Sequence, residues 1–237
     1  LQKMTAEMTK RNLDFWDRLF LEVEDLDRST DYDEEKTRMI GKLCGLIIGR
    51  DERIVDLAKR NFTLSDFIMI NSRLTGTGFI GGKAAGMLIA RKILQNDTET
   101  DWGRILEPHD SFYIGSDVFY TYIVQNGLWN IFLDHKTGEG YYTRAPELQQ
   151  RMLTGIFPDE INEQFLQIIE YFGQSPFIVR SSSLLEDTYG HAFAGKYESY
   201  FCVNQGSPHE RFAAFTGAVR KVYASTMDED ALAYREQ

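Results

Sequence analysis

The sequence predicts an α+β protein, with a helical extension over residues 1–72 followed by a lobe of strands and helices over 73–237. Three observations carry that expectation. Apolar residues in the first part recur at helical spacing, two β-prone runs in the second part end abruptly at serine- and glycine-rich turns, and helix start and stop residues punctuate the stretch between. With 43% hydrophobic residues in a chain of 237, there is material for a sizeable core.

In the extension, Leu13, Trp16, Phe20, Val23 and Leu26 fall near one helix face, and Met39, Ile40, Leu43, Cys44 and Ile47 repeat the pattern. The acidic stretch 24–35, with a turn at Ser29-Thr30-Asp31, joins the two sets. Such a helical front is either a subdomain that packs on its own chain or a docking and regulatory element. Amphipathic helices generally bury their stripe within their own chain, which favours packing.

The run Thr75-Gly76-Thr77-Gly78-Phe79-Ile80-Gly81-Gly82-Lys83-Ala84-Ala85-Gly86-Met87 then opens a helix that continues through Leu88, Ile89, Arg91 and Ile93. Glycines ahead of a helix permit tight turns, and the free amides of a first helical turn attract anions. Lys83 would add a point charge there. The run is not a P-loop, because Ala84 follows the lysine where Ser or Thr is required.

Residues 111–116 read as a strand, and Asp117 as the cap of a helix reaching about Gln125. After the Gly138-Glu139-Gly140 turn, a helix is expected from Ala145 to Phe157, and Pro158 begins another that Gly173 stops. That last helix, with Ile161, Phe165, Ile168, Ile169 and Phe172 on one face, delivers the chain into the segment richest in chemistry.

That segment is FIVRSSSLLEDTYGHAFAGKYESYFCVNQG, residues 177–206. A β-prone Phe177-Ile178-Val179 ends at Arg180, a planar fork of five donors that keeps its charge, beside three serine hydroxyls. The set suits a polyphosphate. Glu186 and Asp187 follow and read better as residues that order the loop than as metal ligands. Beyond Gly190 comes Ala194-Gly195-Lys196, where a missing Cβ lets backbone approach a ligand, and then a second strand over 198–203. Ser207-Pro208-His209-Glu210 starts a helix with a capping box, whose face is Phe212, Phe215, Val219 and Val222.

A formal charge of −10 excludes a general surface for nucleic acid or anionic membrane, so any phosphate site is local. Cys44 and Cys202 lie far apart in apolar runs without metal spacing and read as reduced, buried thiols. Without an apolar run of membrane-crossing length or a signal-peptide pattern, the reading is cytoplasmic. The chain opens on Leu1 instead of Met and is expected to be part of something longer.

VRSSSLLED and FAGKYESYF resemble the signature of the nucleotide-binding domain of phosphoenolpyruvate synthase and pyruvate phosphate dikinase, and GGKAAGM resembles the segment that opens the same domain. EPHDSFYIGSDVFYTYIVQNGL resembles its middle, with His109 and Asp110 replacing the usual Pro-Gly, and Tyr234-Arg235 matches the end of the lobe, although Thr226 and Met227 depart from it. The resemblance implies an ATP-grasp-like architecture, a mixed sheet with flanking helices, in which ATP lies between two lobes. Lys83 and Arg180 would contact its phosphates, supported by Gly195 backbone and the Ser199 hydroxyl. Lys196 stands where the family has Gln, and its charge either touches phosphate or sits in solvent.

Mg2+ would be held mainly by a second lobe expected after Arg235. The phosphohistidine domain and the pyruvate-binding domain are expected outside this stretch too, since His109, His135, His191 and His209 lack the context of the phosphorylated histidine and read as structural or solvated. The implied reaction passes phosphoryl from ATP through a phosphohistidine to pyruvate, and these residues alone are not expected to turn over. Related glucan water dikinases and rifampin phosphotransferases keep other acceptors open. So does a nucleotide-binding regulatory module without transfer activity. The partners implied are small molecules, ATP and pyruvate, with no nucleic acid and no membrane, and an oligomer is allowed.

Overall fold

The computed structural model describes residues 13–30, 33–108, 110–186 and 195–236. The expectations for Asp31, His109, Asp187, Gly190, His191 and Ala194 lie outside these residues.

Among the described residues, four α-helices and a π-helical turn make up the front. Helix α1 (Phe15–Arg28) starts where the Asp14 side chain accepts from Asp17 N, and it buries Leu19, Phe20 and Val23. Helix α2 (Asp33–Leu43) runs straight into a π-helical turn, Cys44–Ile48, which Gly49 ends. Helix α3 (Glu52–Asn61) is capped by Asp51, and α4 (Leu64–Ser72) by a capping box of Thr63 and Asp66.

Strand β1 (Leu74–Thr75) pairs in parallel with β2 (Tyr113–Ile114), and α5 (Gly82–Asn96) lies on the connection between them. The strand expected over 111–116 shrinks to two residues because the chain turns at Gly115 into α6 (Ser116–Gln125). Asp117 does not cap that helix. Gly115 takes the cap position, and Asp117 Oδ1 instead accepts from Thr77 N at 2.6 Å, tying the helix start to the glycine turn.

Helices α7 (Trp129–His135), α8 (Gly140–Thr143) and α9 (Ala145–Thr154) follow. The last was expected to reach Phe157. It ends earlier because Gly155 passes against the Tyr122 ring, where a Cβ would lie 2.2 Å from the hydroxyl oxygen, and Phe157 turns into the core. Helix α10 (Asp159–Phe172) stops at Gly173 with φ 57°, as the sequence indicates. Strand β3 (Phe177–Arg180) then pairs antiparallel with β4 (Ser199–Cys202), in the register Ile178 with Phe201 and Arg180 with Ser199. Helix α11 (Pro208–Ser225) carries the expected Ser207/Glu210 capping box, and α12 (Glu229–Glu236) closes the chain.

Helices therefore dominate an α+β chain. The expected mixed sheet is divided, among the described residues, into one parallel and one antiparallel pair. Among the described residues, two large hydrophobic cores are accompanied by a small third one of Tyr197 and Ala231 with Tyr234 packed on it. The first joins Leu19, Val23, Leu43, Ile47 and Phe67 of the front to Ile80, Ala84, Ala85 and Ile89 of the glycine turn and α5, so it runs across residue 72. The second spans Val118 to Leu232 and packs α6, α9 and α10 with β3, β4 and α11.

Candidate functional site

The glycine turn belongs to the first core through Ile80, the serine loop follows β3, whose Val179 belongs to the second, and turn and loop dock directly on one another. Gly82 N donates to Ser183 O at 2.9 Å and Ala84 N to Ser182 Oγ at 3.0 Å. The amides at the start of α5 were expected to stand free for an anion; two of them are instead occupied by the serine loop, which supplies a carbonyl and a hydroxyl as acceptors.

The glycines make this approach sterically feasible. A Cβ on Gly81 would lie 1.3 Å from Ser182 O, and one on Gly82 would lie 1.8 Å from Glu186 O. Gly81 also holds φ 84°, a conformation that side chains rarely adopt.

Lys83 then reaches from the first turn of α5 to a carboxylate on the other side. Its Nζ lies 2.5 Å from Glu186 Oε1 and 3.4 Å from Ser181 Oγ. Glu186 is fully buried, at 0% exposure, while the lysine side chain keeps 20%. A buried carboxylate needs its lone pairs occupied, and here Oε1 also accepts from Ser181 Oγ at 2.9 Å and Oε2 from Ser183 N at 2.7 Å. The loop-ordering role read from the sequence for Glu186 thus has a definite form: it closes the serine loop on itself and holds the lysine over it.

Arg180 stands differently. It ends β3 exposed, on the same face as exposed Ile178, and hydrogen-bonds to no described side chain. Across the register lies exposed Ser199, so this guanidinium and hydroxyl share the outer face of the pair. Gly195 takes φ 70°, a backbone conformation that favours glycine, and no described atom beyond its chain neighbours lies within 4 Å of where its Cβ would be. Lys196 sets its Nζ over the Tyr234 ring at 5.5 Å from the centroid, so its charge already has an aromatic partner.

Between Lys196 and Glu198, buried Tyr197 links this strand to the loop. Burial raises its phenol above the ordinary value of 10.0, against the opposing pull of Arg235 and a hydrogen bond to Ser183. Arg235 in turn gives Nη2 to Thr226 O at 2.7 Å, which fastens the matched Tyr-Arg pair to the end of α11.

Sequence reasoning singled out both cations but missed what positions them. The bond from Lys83 to Glu186 spans 103 positions, and no local spacing encodes it. The supports from Asp117 and from Gln164, whose Oε1 accepts from Gly76 N at 3.1 Å, are equally remote.

A glycine turn that presents a lysine against a serine loop, beside a strand end that carries an exposed arginine, defines a lobe suited to a polyanionic ligand. Residues 77–237, more than half of the chain, match the family model of the pyruvate phosphate dikinase AMP/ATP-binding domain. The chain belongs to that family, whose members are kinase-type enzymes. Comparison with curated proteins and with solved structures gave no match. Among the described residues, no helix is long and apolar enough to cross a membrane.

Proposed function

We propose that this chain is the ATP-holding lobe of a dikinase-type phosphotransferase of the phosphoenolpyruvate synthase and pyruvate phosphate dikinase kind, in the cytoplasm, with an ATP-grasp-like arrangement completed by a second lobe. Lys83 and Arg180 bind the phosphates, Ser199 and the Gly195 backbone support them, and Lys196 lies at the margin. The observation that carries the reading is the interlock itself. Two segments 98 positions apart, each carrying a phosphate-suited cation, meet through Lys83, Ser181, Ser182 and Glu186.

Transfer of a phosphoryl group is governed by positioning and charge neutralisation, which a partly buried ammonium and an exposed guanidinium supply. Lys83 is held in place by Glu186 before any ligand arrives. Among the described residues, Arg180 hydrogen-bonds to no side chain that an incoming oxygen would have to displace. A Mg2+ would be held mainly by the second lobe and by the phosphates themselves, since hard magnesium sites of this kind use few carboxylates and much phosphate. Such an ion would supply further neutralisation of the phosphate charge.

The intact protein, incubated with Mg2+ and ATP labelled at the β-phosphate, is expected to acquire acid-labile label on a histidine that pyruvate discharges. Label that persists with pyruvate would move the acceptor to a glucan or drug hydroxyl. ATP bound without label would overturn the transfer reading in favour of a regulatory module.

A further inference from the structure

The helical front lies outside the matched family domain, which begins at residue 77, yet it touches both halves of the phosphate site. The π-helical turn Cys44–Ile48 ends at Gly49, whose φ of 154° and ψ of −162° suit glycine, so the carbonyls of its last residues find no partner further along the helix. Ile47 O accepts instead from Ile80 N at 3.0 Å, just ahead of Gly81-Gly82-Lys83. On the next residue but one, a Cβ on Gly49 would lie 3.4 Å from Leu184 of the serine loop. Arg50 then sets its guanidinium over the ring of Phe79, 5.7 Å from the centroid, and Phe79 lies within the glycine turn.

Further along α5, the front grips again. Lys92 Nζ lies 2.7 Å from Asp66 Oδ1 with both side chains mostly buried, and Asn96 Nδ2 donates to Asn61 O at 3.2 Å. The helix that carries Lys83 is thus held by the front at its start and at its end. π-Helical turns tend to occur at functional sites, where a wide turn re-aims backbone groups.

From these contacts we propose that Arg50 is a positioning residue of the nucleotide site, supplied by the helical front: clamping Phe79, it fixes the glycine turn so that Lys83 meets phosphate. The proposal rests on the nucleotide reading of Lys83. Arg50 is itself exposed and makes no hydrogen bond to a described side chain, so replacing it leaves both cores intact.

The test uses the intact protein with Arg50→Ala, Arg50→Lys and, as a control, Lys83→Ala. Affinity for ATP and for adenosine is measured by calorimetry, and amide exchange at Ile80 is followed without ligand. Arg50→Ala is expected to weaken ATP binding about two- to fivefold, the size of one exposed cation–π contact. Adenosine affinity should stay unchanged, the unfolding midpoint should fall by no more than the loss of that one exposed contact, Ile80 exchange should quicken, and Arg50→Lys should restore most of the loss. A purely structural residue would shift the midpoint and both ligands together, and that result would overturn the proposal. Unchanged ATP affinity in Arg50→Ala, with binding lost in Lys83→Ala, would overturn it while leaving the nucleotide reading standing. No ATP binding by the unsubstituted protein would remove both.

Discussion

Around α5 the core is mainly aliphatic, with Leu43, Ile47, Ile48, Ala84, Ala85 and Ile89 filling the space between helices. Around β3 it is strongly aromatic: Phe165 stands edge-on to Phe157 and to Phe215, and Phe177 stacks on Phe172. Each core delivers one cation. The aliphatic core sets the helix that carries Lys83, whereas the aromatic core sets the strand that ends in Arg180. The difference lies in what each cation depends on. Arg180 depends on the aromatic core that sets its strand, but Lys83 is seated by Glu186, which follows β3, and therefore depends on both cores and on the seam between them.

The largest way to break this arrangement is to hollow out the aromatic core. Phe165→Ala removes a fully buried ring from contact with two others and is expected to cost about 3–5 kcal/mol in chemical denaturation. If Phe165→Ala lost less than about 1 kcal/mol, the aromatic core would not be the frame that holds β3.

A smaller change addresses the seam alone. Glu186→Gln keeps the shape but faces an amide NH2 toward donors that now meet carboxylate oxygens, and it leaves the Lys83 charge unbalanced. A loss of about 1–3 kcal/mol is expected, together with weaker ATP binding, read by denaturation and calorimetry on the same variant. An unchanged protein would mean that Lys83 is seated by α5 alone.

The smallest effect concerns pH and lies far from the seam. His135, buried at the end of α7 and stacked on Tyr141 at 5.1 Å, leaves Nδ1 without a partner among the described residues. Burial, the largest cause, lowers its pKa below the ordinary 6.5; Arg235 and Lys136 push the same way, against a backbone hydrogen bond at Tyr141. The unfolded chain therefore takes up a proton more readily than the folded one. Stability from this residue is complete above about pH 6.5 and falls as the pH drops below it. His135→Phe, which keeps the stack, should flatten that slope in unfolding measured from about pH 8 to about pH 5; an unaltered slope would show that other groups set it.

Much of the framework is written locally. The helical face of α10 and its stop at Gly173, the capping box at Ser207 and Glu210, and the two strands flanking the serine loop all follow from spacing and from residues that cap or break, because those signals act within a turn or two. The α9 terminus and the role of Asp117 did not follow. Each is decided by a residue remote in sequence, the Tyr122 ring in one case and the Thr77 amide in the other.

Sequence by itself determined that this chain carries a glycine-rich segment with a lysine, GGKAAGM, and a serine-rich segment with an arginine, VRSSSLLED, and in which order, since these are matters of residue type and short-range spacing. Only the tertiary structure decided that the first serves as a socket for the second. The glycines ahead of Lys83 make room for Ser182 and Glu186 backbone, the amides of the helix start are spent on the serine loop, and a front outside the family domain holds the turn through Ile47 and Arg50. The reason is physical: a buried carboxylate and the amides of a helix start must be satisfied by whatever group the fold brings within hydrogen-bond reach, and chain separation places no constraint on which group that is.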